Sequence, residues 1–401
     1  MDREHGNSKQ GLGTKSVWSG EDGERWLRAT QVPVALSVSF GYETVDEWLQ
    51  VATGKSPGHI YGRNTNPTVA AFEEKVRALE GAEAATSFAS GMAAISNALF
   101  ALLSPGDRIV SIQDTYGGTN KLFVEFLPKF QIHAALCETS DHNAIEAAIE
   151  RGCKLLYLET PTNPTIKILD IQRLAVAARR CGALVVVDNT FATPVNQRPL
   201  QLGADLVIHS ATKFLGGHAD ALGGLVCGRR DLVKTIYHFR EINGACLEPM
   251  SAYLLLRGMK TLHLRVRQQN ETALRVATFL KSHPAVAEVF YPGLPEHENH
   301  EIARRQMSGF GGVLSFALRG NFETVKSFLP LLRYVNLAAN LGAVETVAGP
   351  PATTSHVEST PEERHRSGIP EALIRYSVGV EDTEDLIADL QQALERVFLK
   401  Q

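Results

Sequence analysis

The stretch Ser210-Ala211-Thr212-Lys213 sets two hydroxyls, two positions apart, beside an amine. Two such hydroxyls can donate to one phosphate, and the lysine can form a Schiff base with an aldehyde. Upstream, the run Leu184-Val185-Val186-Val187 ends in Asp188. A carboxylate at one strand end and a lysine past the next make the pairing that a pyridoxal phosphate (PLP) site needs. The acid holds the pyridinium proton and the lysine holds the aldehyde carbon. Taken singly, Lys213 reads first as a surface lysine and Asp188 as a helix cap. Their occurrence in consecutive strand–loop units favours chemistry.

Further candidates lie on either side. Ser90-Gly91-Met92 opens an Ala-rich helix. Free N–H groups and the helix dipole there favour an anion, although a plain N-cap fits equally. Tyr116 sits in the loop Asp114–Thr119, and Asn163 in the loop Thr160–Pro164. Arg375 is embedded in Ile374-Arg375-Tyr376-Ser377-Val378. A cation among apolar residues needs a carboxylate or phosphate partner, or else lies on an edge strand facing water. Thr53-Gly54-Lys55-Ser56 resembles the end of a phosphate-binding P-loop, but Leu49 stands where the motif needs glycine, so it is set aside.

The elements that must position these residues follow from periodicity. Apolar runs at 108–112, 155–159, 184–188 and 205–208 read as buried strands. Helical periods cover 68–81, 121–127, 144–149 and 171–181, and a short strand is expected near Ile132. This βα alternation predicts a mainly parallel sheet with helices on both faces. Tyr116, Asn163, Asp188 and Ser210–Lys213 all fall at strand C-terminal ends and should gather at one rim. After Cys227 the pattern changes. Helices are expected at 232–240, 253–280, 322–332 and 383–399, with strands at 286–291, 313–318 and 373–378, a smaller α+β unit. Residues 1–60 are polar and Gly-rich, with extended pieces at Lys15–Trp18 and Pro33–Phe40, and read as an arm that gains order by packing on something else.

A chain of 401 residues exceeds the range of one growing core, so two domains are expected. The division is an N-terminal arm over 1–63, an α/β cofactor-binding domain over 64–257 and an α+β domain over 258–401. The net charge of −4 and the lack of a basic patch argue against nucleic acid. No apolar run approaches a bilayer span, and the first residues lack the apolar core of a signal peptide. The 5 cysteines show no Cys-x-x-Cys spacing and read as free thiols of a cytoplasmic protein, and no metal site is expected.

Long strings in register then identify the chain as similar to the Cys/Met-metabolism family of PLP enzymes. These include cystathionine γ-synthases, cystathionine γ- and β-lyases, methionine γ-lyases and homoserine-ester sulfhydrylases. The strings are Ser90–Ala94, Asp114–Thr119, Glu159–Pro164, Val187–Phe191, Ser210–His218, Leu256–Leu262, Tyr291–Leu294, Gly309–Gly312 and Ile374–Gly379. The resemblance implies the type I fold of PLP-dependent transferases and γ-elimination or γ-replacement on a γ-substituted amino acid. By resemblance, Lys213 bonds the cofactor and shuttles protons, Asp188 pairs with the pyridine nitrogen, and Tyr116 stacks on the ring and acts as acid or base. Ser210, Thr212, Ser90 and the amides of Gly91 and Met92 hold the phosphate. Tyr61 and Arg63 reach it from a neighbouring subunit of a homotetramer. Asn163, Asn340 and Arg375 bind the substrate carboxylate region. Three positions depart from the family pattern. Gly62 stands where serine is common. Asn340 stands where serine is usual, and its larger side chain bears on the substrate. Gly118 stands where methionine γ-lyases carry cysteine, which argues against that activity.

Overall fold

The computed structural model describes residues 10–21, 26, 28–355, 357, 364 and 368–398. Its strands are β1 (Ala84–Phe88), β2 (Arg108–Ile112), β3 (His133–Cys137), β4 (Leu155–Glu159), β5 (Leu184–Asp188), β6 (Leu206–Ser210), β7 (Gly224–Gly228), β8 (Val286–Phe290), β9 (Val313–Leu318), β10 (Asn336–Leu337), β11 (Val347–Gly349) and β12 (Leu373–Ser377). The helices are α1 (Leu12–Trp18), α2 (Val45–Ala52), α3 (Pro67–Glu80), α4 (Gly91–Leu102), α5 (Gly117–Lys121), α6 (His142–Glu150), α7 (Ile171–Arg180), α8 (Thr193–Asn196), α9 (Arg230–Asn243), α10 (Pro249–Met259), α11 (Leu262–Ser282), α12 (His300–Gln306), α13 (Phe322–Phe328) and α14 (Thr383–Phe398).

The larger sheet runs β1-β7-β6-β5-β4-β2-β3. Its central strands β2, β4, β5 and β6 pair in parallel, with Glu159 opposite Asp188 and Asp188 opposite Ile208. Strand β7 is antiparallel to both β6 and β1. Side chains alternate between faces: Tyr157, Val186 and Ile208 enter one core, and Leu156, Leu158, Val185 and Val187 enter the other. Burial on both faces explains why these strands are apolar throughout rather than alternating. The smaller sheet runs β10-β11-β12-β9-β8 and packs on α11, α13 and α14 through Val276, Leu280, Phe328, Leu390 and Leu394.

Local chemistry sets the helix ends. Asn66 caps α3, Pro67 opens it, and Gly81 stops it in the left-handed conformation at φ 72°. The Ser90 hydroxyl accepts from the Ala93 N–H and starts α4.

Two expectations change. The single helix expected over 253–280 is two, α10 and α11, broken at Lys260-Thr261. Lys15–Trp18 is helical, not extended. It lies in α1, which the fully buried Lys75 pins by donating to the carbonyls of Ser16 (2.8 Å) and Val17 (3.1 Å) and to Glu21 (2.7 Å). Residues 33–63 carry α2, which buries none of its side chains; Val45, Trp48 and Leu49 are all exposed. No described helix is long and apolar enough to cross a membrane.

Candidate active site

The loops after β2, β4, β5 and β6 do meet at one rim, because parallel strands deliver their C-terminal ends to the same edge. Lys213 sits one turn past β6. Its amine donates to Asn340 Oδ1 at 2.8 Å. Burial, with Arg375 nearby, pulls that amine down to about 8.

Arg375, on the central strand β12, reaches the same place from the other sheet. Its guanidinium donates to Asn163 Oδ1 (3.2 Å) and to the Asn340 carbonyl (3.0 Å). The edge-strand alternative for Arg375 is thus set aside: β12 is flanked by β11 and β9, and the side chain is buried. Burial draws the guanidinium down to about 10, opposed by the Tyr116 phenol. Among the described residues neither cation has a carboxylate partner. Two desolvated cations joined through one asparagine make a site for an anion.

Asp188 closes β5 and is buried. Its Oδ1 accepts from the Thr190 N–H (3.0 Å) and hydroxyl (2.5 Å), and its Oδ2 accepts from the Tyr157 hydroxyl at 3.4 Å. Burial pushes this carboxyl up, and the Thr190 hydrogen bonds only partly offset it. A buried acid of this kind gains from a cation beside it.

The phosphate-binding candidates converge where small residues let backbones approach. A Cβ on Gly91 would lie 2.7 Å from the Ser210 Cβ, so the first turn of α4 rests on the end of β6. A Cβ on Gly224 would lie 2.0 Å from the Ser90 carbonyl. The early N–H groups of α4, including those of Gly91 and Met92, have no partner within the helix and point from its positive end. The Thr212 hydroxyl accepts from the Gly223 N–H at 3.0 Å and donates to the Gly223 carbonyl at 3.3 Å. Tyr116 precedes α5, is 44% exposed, and donates its N–H to Glu159 Oε2 at 2.8 Å. A Cβ on Gly118 would sit 2.9 Å from Met92 Sδ and 3.0 Å from the Tyr116 ring, so a cysteine there requires one of them to move.

Tyr61 and Arg63 are not brought to this rim within one chain. They lie in the arm, where Arg63 donates to the Glu241 carbonyl and sits over the Tyr61 ring.

Sequence reasoning passed over Glu159, Thr190 and Tyr157. Glu159 is the register partner of Asp188, and burial beside Asp188 pushes its carboxyl well up. Its signal was the same as that of Asp188, a carboxylate closing an apolar strand. The Asp-x-Thr spacing of Asp188 and Thr190 was the signal for the turn that fixes Asp188.

A helix N-terminus for a phosphate, a buried acid for a ring nitrogen and a desolvated amine for an aldehyde form a donor set that fits PLP. The fold and site are those of an α/β enzyme built around such a carbonyl cofactor. The chain belongs to the Cys/Met metabolism PLP-dependent enzyme family, whose model matches residues 13–395. It is 43% identical over 388 residues to cystathionine gamma-synthase 1, chloroplastic, of Arabidopsis thaliana, covering 96% of this chain and 69% of that protein. It is 42% identical over 385 residues to cystathionine gamma-lyase of Bacillus subtilis (strain 168), covering 96% of this chain and 99% of that protein. Among solved structures, cystathionine gamma synthase from Xanthomonas oryzae pv. oryzae, in complex with aminoacrylate and cysteine, superposes with a TM-score of 0.93 at 36% identity, covering 98% of this chain and 100% of that one. The protein is a PLP-dependent enzyme acting on amino acids at the γ carbon.

Proposed function

We propose that the enzyme carries out γ-replacement or γ-elimination of the cystathionine γ-synthase or γ-lyase type, on a γ-substituted L-amino acid bound by its carboxylate to Arg375. The observation that carries this reading is the pair of buried cations, Lys213 and Arg375, both bonded to Asn340 and, among the described residues, lacking an acid of their own. When bound, PLP supplies an aldehyde carbon for the substrate amine and a ring that withdraws electrons from Cα.

The chain's own groups do the rest. Lys213, whose amine burial draws down to about 8, takes the Cα proton. Asp188, oriented by Thr190, holds a proton on the ring nitrogen. Tyr116 donates a proton to the group leaving Cγ. Asn163 and Asn340 keep Arg375 aimed at the carboxylate. Ser90, Gly91, Met92, Ser210 and Thr212 hold the phosphate.

The exposed arm supports an assembly in which Tyr61 and Arg63 serve a neighbouring subunit's site, in a homotetramer of two active dimers. The two sheets, each with its own core, support a division into arm, cofactor-binding domain and C-terminal domain near residues 63 and 257. Five free cysteines fit a cytoplasmic setting. The glycine at 118, where methionine γ-lyases carry cysteine, disfavours a dedicated methionine γ-lyase. Homoserine-ester sulfhydrylation, γ-elimination of an oxygen-linked leaving group and β-elimination are the alternatives.

The test is a substrate panel of homoserine esters, cystathionine, homocysteine, methionine and oxygen-linked γ-substituted analogues, each with and without a thiol acceptor. If 2-oxobutanoate forms only without the thiol, replacement is the activity. If the thiol makes no difference, elimination is. A Lys213→Ala variant that is both yellow and active would overturn the assignment of Lys213.

A further inference from the structure

We propose that Arg265 and Gln269, one turn apart on α11, are positioning residues that set the Lys213 amine in register with Asn340 and Arg375. The inference rests on the reading of Lys213 as the cofactor lysine.

Arg265 is buried, at 5% exposed. Its guanidinium donates to the carbonyls of Phe214 (2.9 Å), Leu215 (3.3 Å) and Gly258 (2.9 Å), and its Nε donates to the Thr261 hydroxyl at 3.2 Å. Phe214 and Leu215 directly follow Lys213. The fit is close. Gly217 adopts a left-handed φ of 73°, and a Cβ there would lie 2.0 Å from Arg265 Nη1. A Cβ on Gly258, near the end of α10, would lie 2.0 Å from the Gly216 carbonyl.

One turn on, Gln269 is fully buried and donates to the carbonyls of Ala343 (3.0 Å) and Val378 (3.1 Å). Ala343 lies three residues past Asn340, and Val378 three past Arg375. Cross-links close the figure. Val344 N–H donates to the Gly217 carbonyl at 2.9 Å, and Gly342 N–H donates to the Ser377 hydroxyl at 2.8 Å. A Cβ on Gly342 would lie 2.7 Å from the Phe214 nitrogen. Residues i and i+4 of a helix share a face, so one face of α11 grips all three segments that carry the buried cations and the asparagine between them.

Stability alone is a poor reason for this arrangement. A buried guanidinium met only by neutral acceptors costs desolvation that an apolar side chain would avoid. Burial indeed draws Arg265 down to about 10. What the guanidinium provides is direction: it fixes several carbonyls at once in one geometry.

The test compares Gln269→Leu, Arg265→Met and Arg265→Lys in the full-length chain. The cofactor-free protein is treated with pyridoxal phosphate and borohydride across a pH series, and the modified lysine is quantified by peptide mass spectrometry. Steady-state kinetics and thermal unfolding are measured on the loaded enzyme. In Gln269→Leu the midpoint of the Lys213 trapping profile should rise by about half a unit, toward an ordinary lysine. Its kcat should fall about tenfold, with KM moving less than about threefold. Arg265→Met should do the same or more, and Arg265→Lys should recover part of the loss. If both harsher variants only unfold at lower temperature, with trapping profile and kcat unchanged, the proposal is overturned. Should Arg265→Met fail to fold, the near-isosteric Gln269→Leu decides on its own. If trapping in the unaltered protein falls on a lysine other than Lys213, the underlying assignment fails first, and that outcome is distinct.

Discussion

Two cations that share one asparagine govern the electrostatics of the site. The Lys213 amine, held at about 8 against an ordinary 10.5, is a charge the fold disfavours. Below about pH 8 the amine is charged in both folded and unfolded chains, and the cost of burying it is felt in full. Between about 8 and 10.5 the unfolded chain still binds the proton while the folded chain does not, so stability rises with pH across that window. In the cofactor-free protein, Lys213→Met should therefore melt a few degrees higher than the unaltered chain at pH 7, a gap that closes as pH passes 10.5. Differential scanning calorimetry across the pH series reads this directly. Asn340→Leu removes the acceptor of that amine and should lower kcat/KM by about tenfold or more, since an unmet buried donor costs roughly 1–3 kcal/mol. Asn340→Ser should keep more activity and shift the order of preference in the substrate panel.

Helix α4 and strand β7 show how little space the phosphate cradle leaves. Gly91→Ala puts a methyl 2.7 Å from the Ser210 Cβ, so the first turn of α4 must back away. Overpacking of this kind costs about 1–3 kcal/mol, and cofactor affinity, followed by absorbance titration, should fall about tenfold. Gly224→Ala meets the Ser90 carbonyl at 2.0 Å and should be the more damaging of the two.

The same elements mark where sequence was readable. The strands β2, β4, β5 and β6 are branched apolar runs buried on both faces, and their ends place Lys213, Asp188, Tyr116 and Asn163 on one rim from sequence alone. Strands β1 and β7 went unread. Ala84-Ala85-Thr86-Ser87-Phe88 is small and polar, and Gly224-Leu225-Val226-Cys227-Gly228 is bounded by glycine at both ends, so neither shows a strand period. The break between α10 and α11 was equally hidden, because no proline or glycine stands at Lys260-Thr261. The partners of Arg375 and the grip of α11 are contacts between segments far apart in the chain, which periodicity does not report.

On the scale of the whole molecule, the arm leaves apolar side chains uncovered, which the proposed homotetramer would cover. Val45, Trp48 and Leu49 expose one face of α2. A Trp48→Asp variant should weaken subunit association by about tenfold or more, seen by light scattering over a dilution series, while circular dichroism of the chain stays unchanged. Activity per chain should fall with dilution sooner in that variant, if Tyr61 and Arg63 complete a neighbour's site.

The order of the larger sheet also bears on how the protein is made. Strand β1 pairs only with β7, and β7 is wedged between β1 and β6. As the polypeptide leaves the ribosome, its first strand therefore has no partner until Gly224–Gly228 has emerged, and the cradle that flanks both strands cannot close before then. Contacts of such long range make maturation slow and leave open edges during synthesis. The vitamin-derived ligand should therefore find its cradle only after Gly224–Gly228 is in place, and refolding assays should find that adding it early does not hasten the slowest phase.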